Sequence, residues 1–151
     1  MTVATMNSSQ LAIASAEQMW SDDLASQGLG MAIEEIEPGR AVLSMEITSE
    51  MVNGHNIAHG GFIFTLADSA FAFSCNTYNE VTVAQGASID FVRSAALGDQ
   101  LRAEAVERSR GRSTGVYDVT VTRADGKIIA CFRGKSFNLG KPILPENGDS
   151  E

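Results

Sequence analysis

Apolar positions recur along the chain with two periods, one helical and one of strand type, and the order in which the periods follow one another sketches a fold. Residues 9–28 place Leu11, Ala12, Ala16, Met19 and Leu24 near helical spacing, with Ser8 or Ser9 as the cap and Gly28 as the stop, so a first helix is expected. Residues 31–37 and 40–48 flank the turn dipeptide Pro38-Gly39. In the second run Val42, Ser44 and Glu46 alternate with Leu43, Met45 and Ile47, which predicts an antiparallel hairpin. A polar, glycine-bearing loop over 51–59 leads into 60–78, a run that reads as the long central helix. Residues 81–94, 99–109, 113–123 and 127–138 alternate apolar and polar side chains between Ala95–Gly98, Gly111 and Asp125-Gly126, each a turn signal. Four successive strands are therefore expected to form a meander. Two strands, one buried helix and four more strands make an α+β protein, with an antiparallel sheet packed on a single helix.

Composition narrows this picture. A chain of 151 residues suits one domain, expected over 9–139 with flexible tails at 1–8 and 140–151. Its 44% apolar and 20% charged residues exclude a disordered or collagen-like chain. The longest apolar stretch, 62–73, is interrupted by Thr65, Asp68 and Ser69 and is too short to cross a bilayer, so no membrane partner is expected. The absence of a basic residue before Arg40 removes the charged region that a secretory signal needs. Cys75 and Cys131 are too few for a disulfide framework, lack metal-ligand spacing and read as buried thiols, so the expected location is cytoplasmic.

The net charge of −8 argues against nucleic acid, whose phosphates need a basic face. Its distribution is uneven. Residues 1–92 carry Arg40 alone against eleven acidic side chains, whereas 93–151 carry ten basic and eight acidic ones. A small polyanionic ligand would be gripped by the second half, although the same side chains also suit solvated strand faces.

Candidate chemistry concentrates on the central helix. Projected at a helical period, 62–75 is apolar nearly all round, and the narrow polar arc holds Asp68, Thr65 and Ser69. A helix of this kind is buried, so Asp68 is expected to be a largely enclosed carboxylate with a raised pKa. It is either a satisfied core aspartate or a group that carries chemistry. His59, Gly60 and Gly61 stand where the helix begins, with unpaired amides and the positive end of the helix dipole. Amide donors there suit a developing oxyanion, and a buried carboxylate suits a nucleophile or general base, a pairing that points to acyl transfer. Eight positions on one helix separate Gly60 from Asp68 by about 12 Å, too far to serve one carbonyl, so the carboxylate must come from a second copy across a two-fold axis. His55 and His59 form an H-x-x-x-H pair, but Asn56 stands where H-E-x-x-H has Glu and no third ligand is suitably spaced, so no metal is expected.

The stretch N-G-H-N-I-A-H-G-G-F-I-F-T-L-A-D-S-A-F-A at 53–72 resembles the hotdog-fold acyl-CoA thioesterases, and within them the PaaI-type enzymes of phenylacetate breakdown. The likeness continues through I-D-F-V-R at 89–93, G-D at 98–99, G-R-S-T-G-V-Y-D-V at 111–119 and F-R-G-K-S at 132–136, so it spans about 30–138. It implies a hotdog fold, an antiparallel sheet of five to six strands wrapped around the central helix after an N-terminal helix. It further implies a homodimer with shared active sites, expected to pair into a dimer of dimers (a homotetramer). By resemblance Asp68 matches the catalytic acid, Gly60 the residue whose amide polarises the thioester carbonyl, and Asn53 and His59 the polar residues beside the reacting group. Where relatives carry Pro after the strand-end arginine, this chain has Ser94.

The expected reaction is hydrolysis of an acyl-CoA, phenylacetyl- or hydroxyphenylacetyl-CoA, without cofactor or metal, coenzyme A being part of the substrate. Candidate substrate-binding residues are Gly61, Thr65 and Ser69 near the reacting group, Phe91 and Arg93 at a strand end, Arg110, Gly111, Arg112 and Ser113 at a turn, and Arg133 and Lys135. With Arg108, the cations among these form the pool from which the CoA phosphates draw contacts. Phe62, Phe64, Phe71 and Tyr78 either line an aromatic pocket or fill the core. A hotdog dehydratase or hydratase is the alternative enzyme, but its H-F-P-G or D-x-N-P-x-H signatures do not occur here. A non-catalytic acyl-CoA binding module is the non-enzymatic alternative.

Overall fold

The computed structural model describes residues 1–146. Its elements run α1 (Ser8–Asp22), α2 (Leu24–Gly28), β1 (Ala32–Glu37), β2 (Arg40–Glu46), α3 (Gly60–Cys75), β3 (Thr82–Phe91), β4 (Gln100–Arg110), β5 (Thr114–Arg123) and β6 (Ile128–Asn138). The architecture is the expected α+β hotdog, one six-stranded antiparallel sheet around one long helix preceded by a helical N-terminus.

Three expectations about these elements change. The cap of α1 is Asn7 rather than Ser8 or Ser9. Asn7 Oδ1 accepts from the Gln10 amide at 2.8 Å while Gln10 Oε1 accepts from the Asn7 amide at 2.9 Å, so two otherwise orphaned donors are satisfied reciprocally. The single helix expected over 9–28 is broken at Asp23, whose ψ of 77° leaves the helical region. Its carboxylate restarts the chain as α2, accepting from Ser26 N at 2.9 Å and Ser26 Oγ at 2.7 Å.

The third change is topological. The strand order is β1-β2-β4-β5-β6-β3, so only β4, β5 and β6 form a meander. After β3 the chain crosses over to pair β4 with β2, and β3 lies at the edge, antiparallel to β6 with Ile89 opposite Phe132 and Ala87 opposite Gly134. Alternation tells which residues share a face but not which strand lies alongside.

The sheet's inner face meets α3. Leu66, Ala67 and Ala70 of α3 are fully buried, and so are Leu43, Ala103, Ala105 and Val121 of the sheet. Phe71 packs against Tyr117 and Phe132 with ring centroids 5.6 and 5.9 Å away. That close approach needs a glycine, because a Cβ on Gly134 would stand 2.7 Å from the Phe71 ring. Truncating such a core side chain costs about 2–5 kcal/mol. The outer face carries ion pairs instead, with Arg108 and Arg133 both on Asp118 and Arg40 between Glu35 and Glu104. Cys131 is on that face and exposed, contrary to expectation, since it occupies an outward position of β6; Cys75 is buried, and burial pushes its thiol up to about 12.

Past β6 the backbone turns back onto the loop between α3 and β3. Lys141 O accepts from Val81 N, and Asn79 Oδ1 accepts from the amides of Ile143 and Leu144. Among the described residues no helix is long and apolar enough to cross a membrane.

Candidate active site

The start of α3 is built by the loop before it. Asn53 Oδ1 accepts from the amides of His55 and Ile57 at 2.9 and 3.2 Å, closing a tight turn that contains Asn56 at a positive φ of 57°. Ala58 N then bonds Ala95 O, and His59 N bonds Met51 O at 2.7 Å, which pins the N-cap residue between two segments. His59 Nδ1 accepts from the Gly61 amide at 3.0 Å, so the ring caps the helix, and Nε2 has no hydrogen-bond partner among the described residues. The Gly60 N–H has no acceptor among the described residues, and it points from the positive end of a 16-residue helix.

One stripe of α3 remains uncovered by its own sheet. Gly61 is exposed and Thr65, Asp68 and Ala72 are half-buried, and helical spacing puts all four on one side. Thr65 Oγ1 donates to Gly61 O at 2.8 Å. The Asp68 carboxylate accepts no hydrogen bond from any described residue, and burial holds its pKa above the ordinary carboxylate value. Asp68 is thus less enclosed in the single chain than the apolar character of the helix implies, because the polar arc faces away from the sheet. Gly60 and Asp68 lie on one straight element, which keeps them about 12 Å apart at 1.5 Å per residue.

Other candidates fall into two groups. Phe91, at the end of β3, lies directly over Gly60, with its Cζ 2.9 Å from where a Cβ would stand. Gly61, Thr65 and Phe91 are therefore together with Gly60 and His59. Ser69 faces elsewhere: its hydroxyl shares a 2.8 Å hydrogen bond with Ser26, tying α3 to α2. The basic candidates are spread along the sheet. Arg93 donates to Ile128 O, and Arg110 pairs with Glu80 at 3.1 Å while its guanidinium stacks 3.7 Å over the Tyr78 ring. Arg133 bonds Asp118 through two nitrogens at 2.7 and 3.0 Å, and that contact, followed by Arg108, holds the Asp118 carboxyl below its usual range. Gly111 N donates to Thr114 O, and Ser113 O accepts from Asn138 N, so both shape the β4–β5 turn. Arg112 and Lys135 are exposed and make no ion pair with any described residue.

The four aromatics divide as well. Phe64 and Phe71 pack on Phe132 in the core, Phe62 stands edge-on to His59 at 6.1 Å, and Tyr78 donates to Glu107 at 3.0 Å. Burial pushes the Tyr78 hydroxyl up to about 12, with the Glu107 hydrogen bond next in effect. Glu107 also accepts from Tyr117 at 2.8 Å and went unnoticed in the sequence, as did the arginine-holding roles of Asp118 and Glu80. Opposite charges at matching positions of neighbouring strands are the signal that would have found Asp118, but it becomes readable only once the strand register is known. No group of three or more His, Cys, Asp or Glu positioned to hold a metal occurs among the described residues.

Comparison with known proteins gives four consistent findings. The thioesterase superfamily model matches residues 55–130. The acyl-coenzyme A thioesterase PaaI of Escherichia coli is 42% identical over 131 residues, 87% of this chain and 94% of that protein. The solved structure of the E. coli PaaI protein from the phenylacetic acid degradation operon superimposes with a TM-score of 0.88 at 40% identity, covering 90% of this chain and 99% of that one. A Streptococcus mutans protein solved bound to acetyl CoA has a TM-score of 0.71 at 30% identity, covering 74% of this chain and 90% of that one.

Proposed function

Because the chain belongs to the thioesterase superfamily, we propose that it hydrolyses the thioester of an acyl-CoA, with phenylacetyl- or hydroxyphenylacetyl-CoA as substrate, to free acid and CoA. The observation that carries this reading is on α3. Among the described residues, a Gly60 N–H without an acceptor stands at its start and a half-buried Asp68 without a hydrogen-bond partner eight residues on, and the edge strand β3 reaches the helix start through Phe91. Neither group reaches the other within one chain. Two copies related by a two-fold axis, with their β3 edges and α3 helices antiparallel, bring Asp68 of each opposite Gly60 of the other and give two sites per dimer.

In such a site the thioester oxygen sits on the Gly60 amide, whose hydrogen bond strengthens as negative charge develops on that oxygen. Asp68 either adds to the carbonyl carbon, giving an anhydride that water then opens, or takes the proton from the attacking water. In both routes a C–O bond forms, the C–S bond breaks, and the departing CoA thiolate is protonated. His59 holds the helix start and presents Nε2 beside it, and the amide nitrogen of Asn53, which donates to no described residue, contacts the substrate. Of the candidate cations, Arg112 and Lys135 make no ion pair with a described residue and can reach CoA phosphates without breaking one. Arg93, Arg108, Arg110 and Arg133 would have to exchange partners. The reading includes no metal, no other cofactor, a cytoplasmic location and a pairing of dimers into a tetramer.

The names of its relatives support it: the E. coli protein is an acyl-CoA thioesterase, and the S. mutans protein was solved with acetyl CoA. Incubation with aryl-acetyl, benzoyl and straight-chain acyl-CoA thioesters and a thiol-reactive dye tests it. Thiol release is expected with and without chelator, fastest with the aryl-acetyl thioesters. No release from any of them would remove the proposal.

A further inference from the structure

The aromatic ring beside the start of α3 has an unusual position. Phe91 is the last residue of β3, and its partner in the register is Ala130 of the buried face, so its side chain points toward α3 and not toward the outer surface. Other large aromatics of that face are enclosed, Phe71 at 1% and Phe132 at 2% exposure, whereas Phe91 is 52% exposed. Its ring edge rests on Gly60, with Cζ, Cε1 and Cε2 at 2.9, 3.2 and 3.4 Å from the position of a Cβ on that residue. No side chain fits at 60 while the ring stays in place. That exposure is of one chain, and the pairing of β3 edges proposed above brings a second copy alongside; it is the contact with Gly60 that fixes the ring beside the N–H.

We propose that Phe91 is the acyl-selecting residue of the site, a flat wall against which the group attached to the thioester carbonyl lies, favouring planar aryl-acetyl groups over flexible alkyl chains. This inference rests on the reading that Gly60 receives the carbonyl oxygen. A carbonyl held by the Gly60 N–H lies beside a ring whose atoms crowd the Cβ position of the same residue, which brings its acyl group to that ring. An aryl group one methylene further on then meets the exposed half of Phe91 offset or edge to face, and an alkyl chain gains only its area. Glycine at position 60 serves two ends: it leaves the amide open to the substrate and makes room for the ring.

The test measures binding, so it does not depend on turnover. In an Asp68→Asn background, Kd is measured for phenylacetyl-CoA and for butanoyl-CoA, with Phe91 intact and as Phe91→Leu and Phe91→Tyr. Leu keeps apolar bulk without a flat face, and Tyr keeps the face. The preference for phenylacetyl-CoA is expected to fall about three- to tenfold in Phe91→Leu, the usual worth of an aromatic pair, and to be retained in Phe91→Tyr. A preference that moves less than threefold in Phe91→Leu, one lost equally in Phe91→Tyr, or binding of neither thioester overturns the proposal. Failure of the wild-type protein to hydrolyse any thioester would instead overturn the functional reading, and the binding preference would still decide the role of Phe91.

Discussion

Replacing Asp68 by Asn removes a charge and almost nothing else. The carboxylate accepts no hydrogen bond from a described residue, so no donor is orphaned, and Asn has the same shape. Burial raises the Asp68 pKa in the folded chain above its unfolded value. The sign of the linkage follows. Ionisation disfavours folding, the cost being absent below the ordinary value of 3.8 and complete once the pH has risen past the raised one. Asp68→Asn should therefore melt no lower than wild type at pH 7, with any advantage shrinking as the pH falls toward 3.8. Activity should move the other way. A positioned base is worth on the order of 10²–10⁴ in rate, so kcat should fall by that factor, about 2.7–5.4 kcal/mol of barrier. In the wild type the acid limb of kcat/KM should lie above the ordinary carboxylate range. Thiol release across a pH series and thermal melts by circular dichroism measure both. A variant within tenfold of wild-type kcat, or one clearly destabilised at pH 7, would refute the reasoning.

Two further predictions follow from packing and charge. Gly134→Ala drives a Cβ to 2.7 Å from the Phe71 ring, which is enclosed by Tyr117 and Phe132, so it should cost about 1–3 kcal/mol in urea unfolding; a loss below 0.5 kcal/mol, well under this ~1 kcal/mol floor, would show that the ring moves aside freely. Arg112→Ala and Lys135→Ala should raise KM for acyl-CoA more than Arg110→Ala does, since Arg110 is already held by Glu80 and Tyr78; the reverse order in steady-state kinetics would mean that these pairs open for the substrate.

How much was legible in the sequence depended on the range of the interaction. The hairpin at Pro38-Gly39, the long helix from Gly60 and each strand were readable because period and turn chemistry are local. The cap at Asn7 was misplaced by one or two residues, since Ser8, Ser9 and Asn7 all compete for a cap and only the contact with Gln10 decides, and the break at Asp23 was not foreseen, because the apolar period of 9–28 runs through it. The position of β3 beside β6 was not legible, because nothing in the alternation of 81–94 distinguishes an edge strand from the first strand of a meander. At the site, Gly60, His59, Thr65 and Asp68 were found on one helix, where spacing alone relates them. Arg110 and Arg133 were assigned to phosphate without sight of Glu80 and Asp118, partners about 30 and 15 residues away that only the folded sheet brings near.

The central claim is that each site is made by two copies of the chain, and subunit exchange tests it most directly. Asp68→Asn removes the carboxylate. Gly60→Pro removes the N–H at the first helical position, where proline is tolerated and where His59, at φ −65° and ψ 131°, already has a backbone that suits a following proline; the half-exposed Phe91 ring must shift to admit it. Each variant alone should be nearly inactive. After denaturation and joint refolding of equal amounts, half of the dimers are mixed. Each mixed dimer contains one site with an unaltered Gly60 from one chain and an unaltered Asp68 from the other. Activity should recover to about a quarter of wild type. Mixed dimers verified by mass spectrometry that restore no activity would contradict the account, because Gly60 and Asp68 would then have to act within one chain.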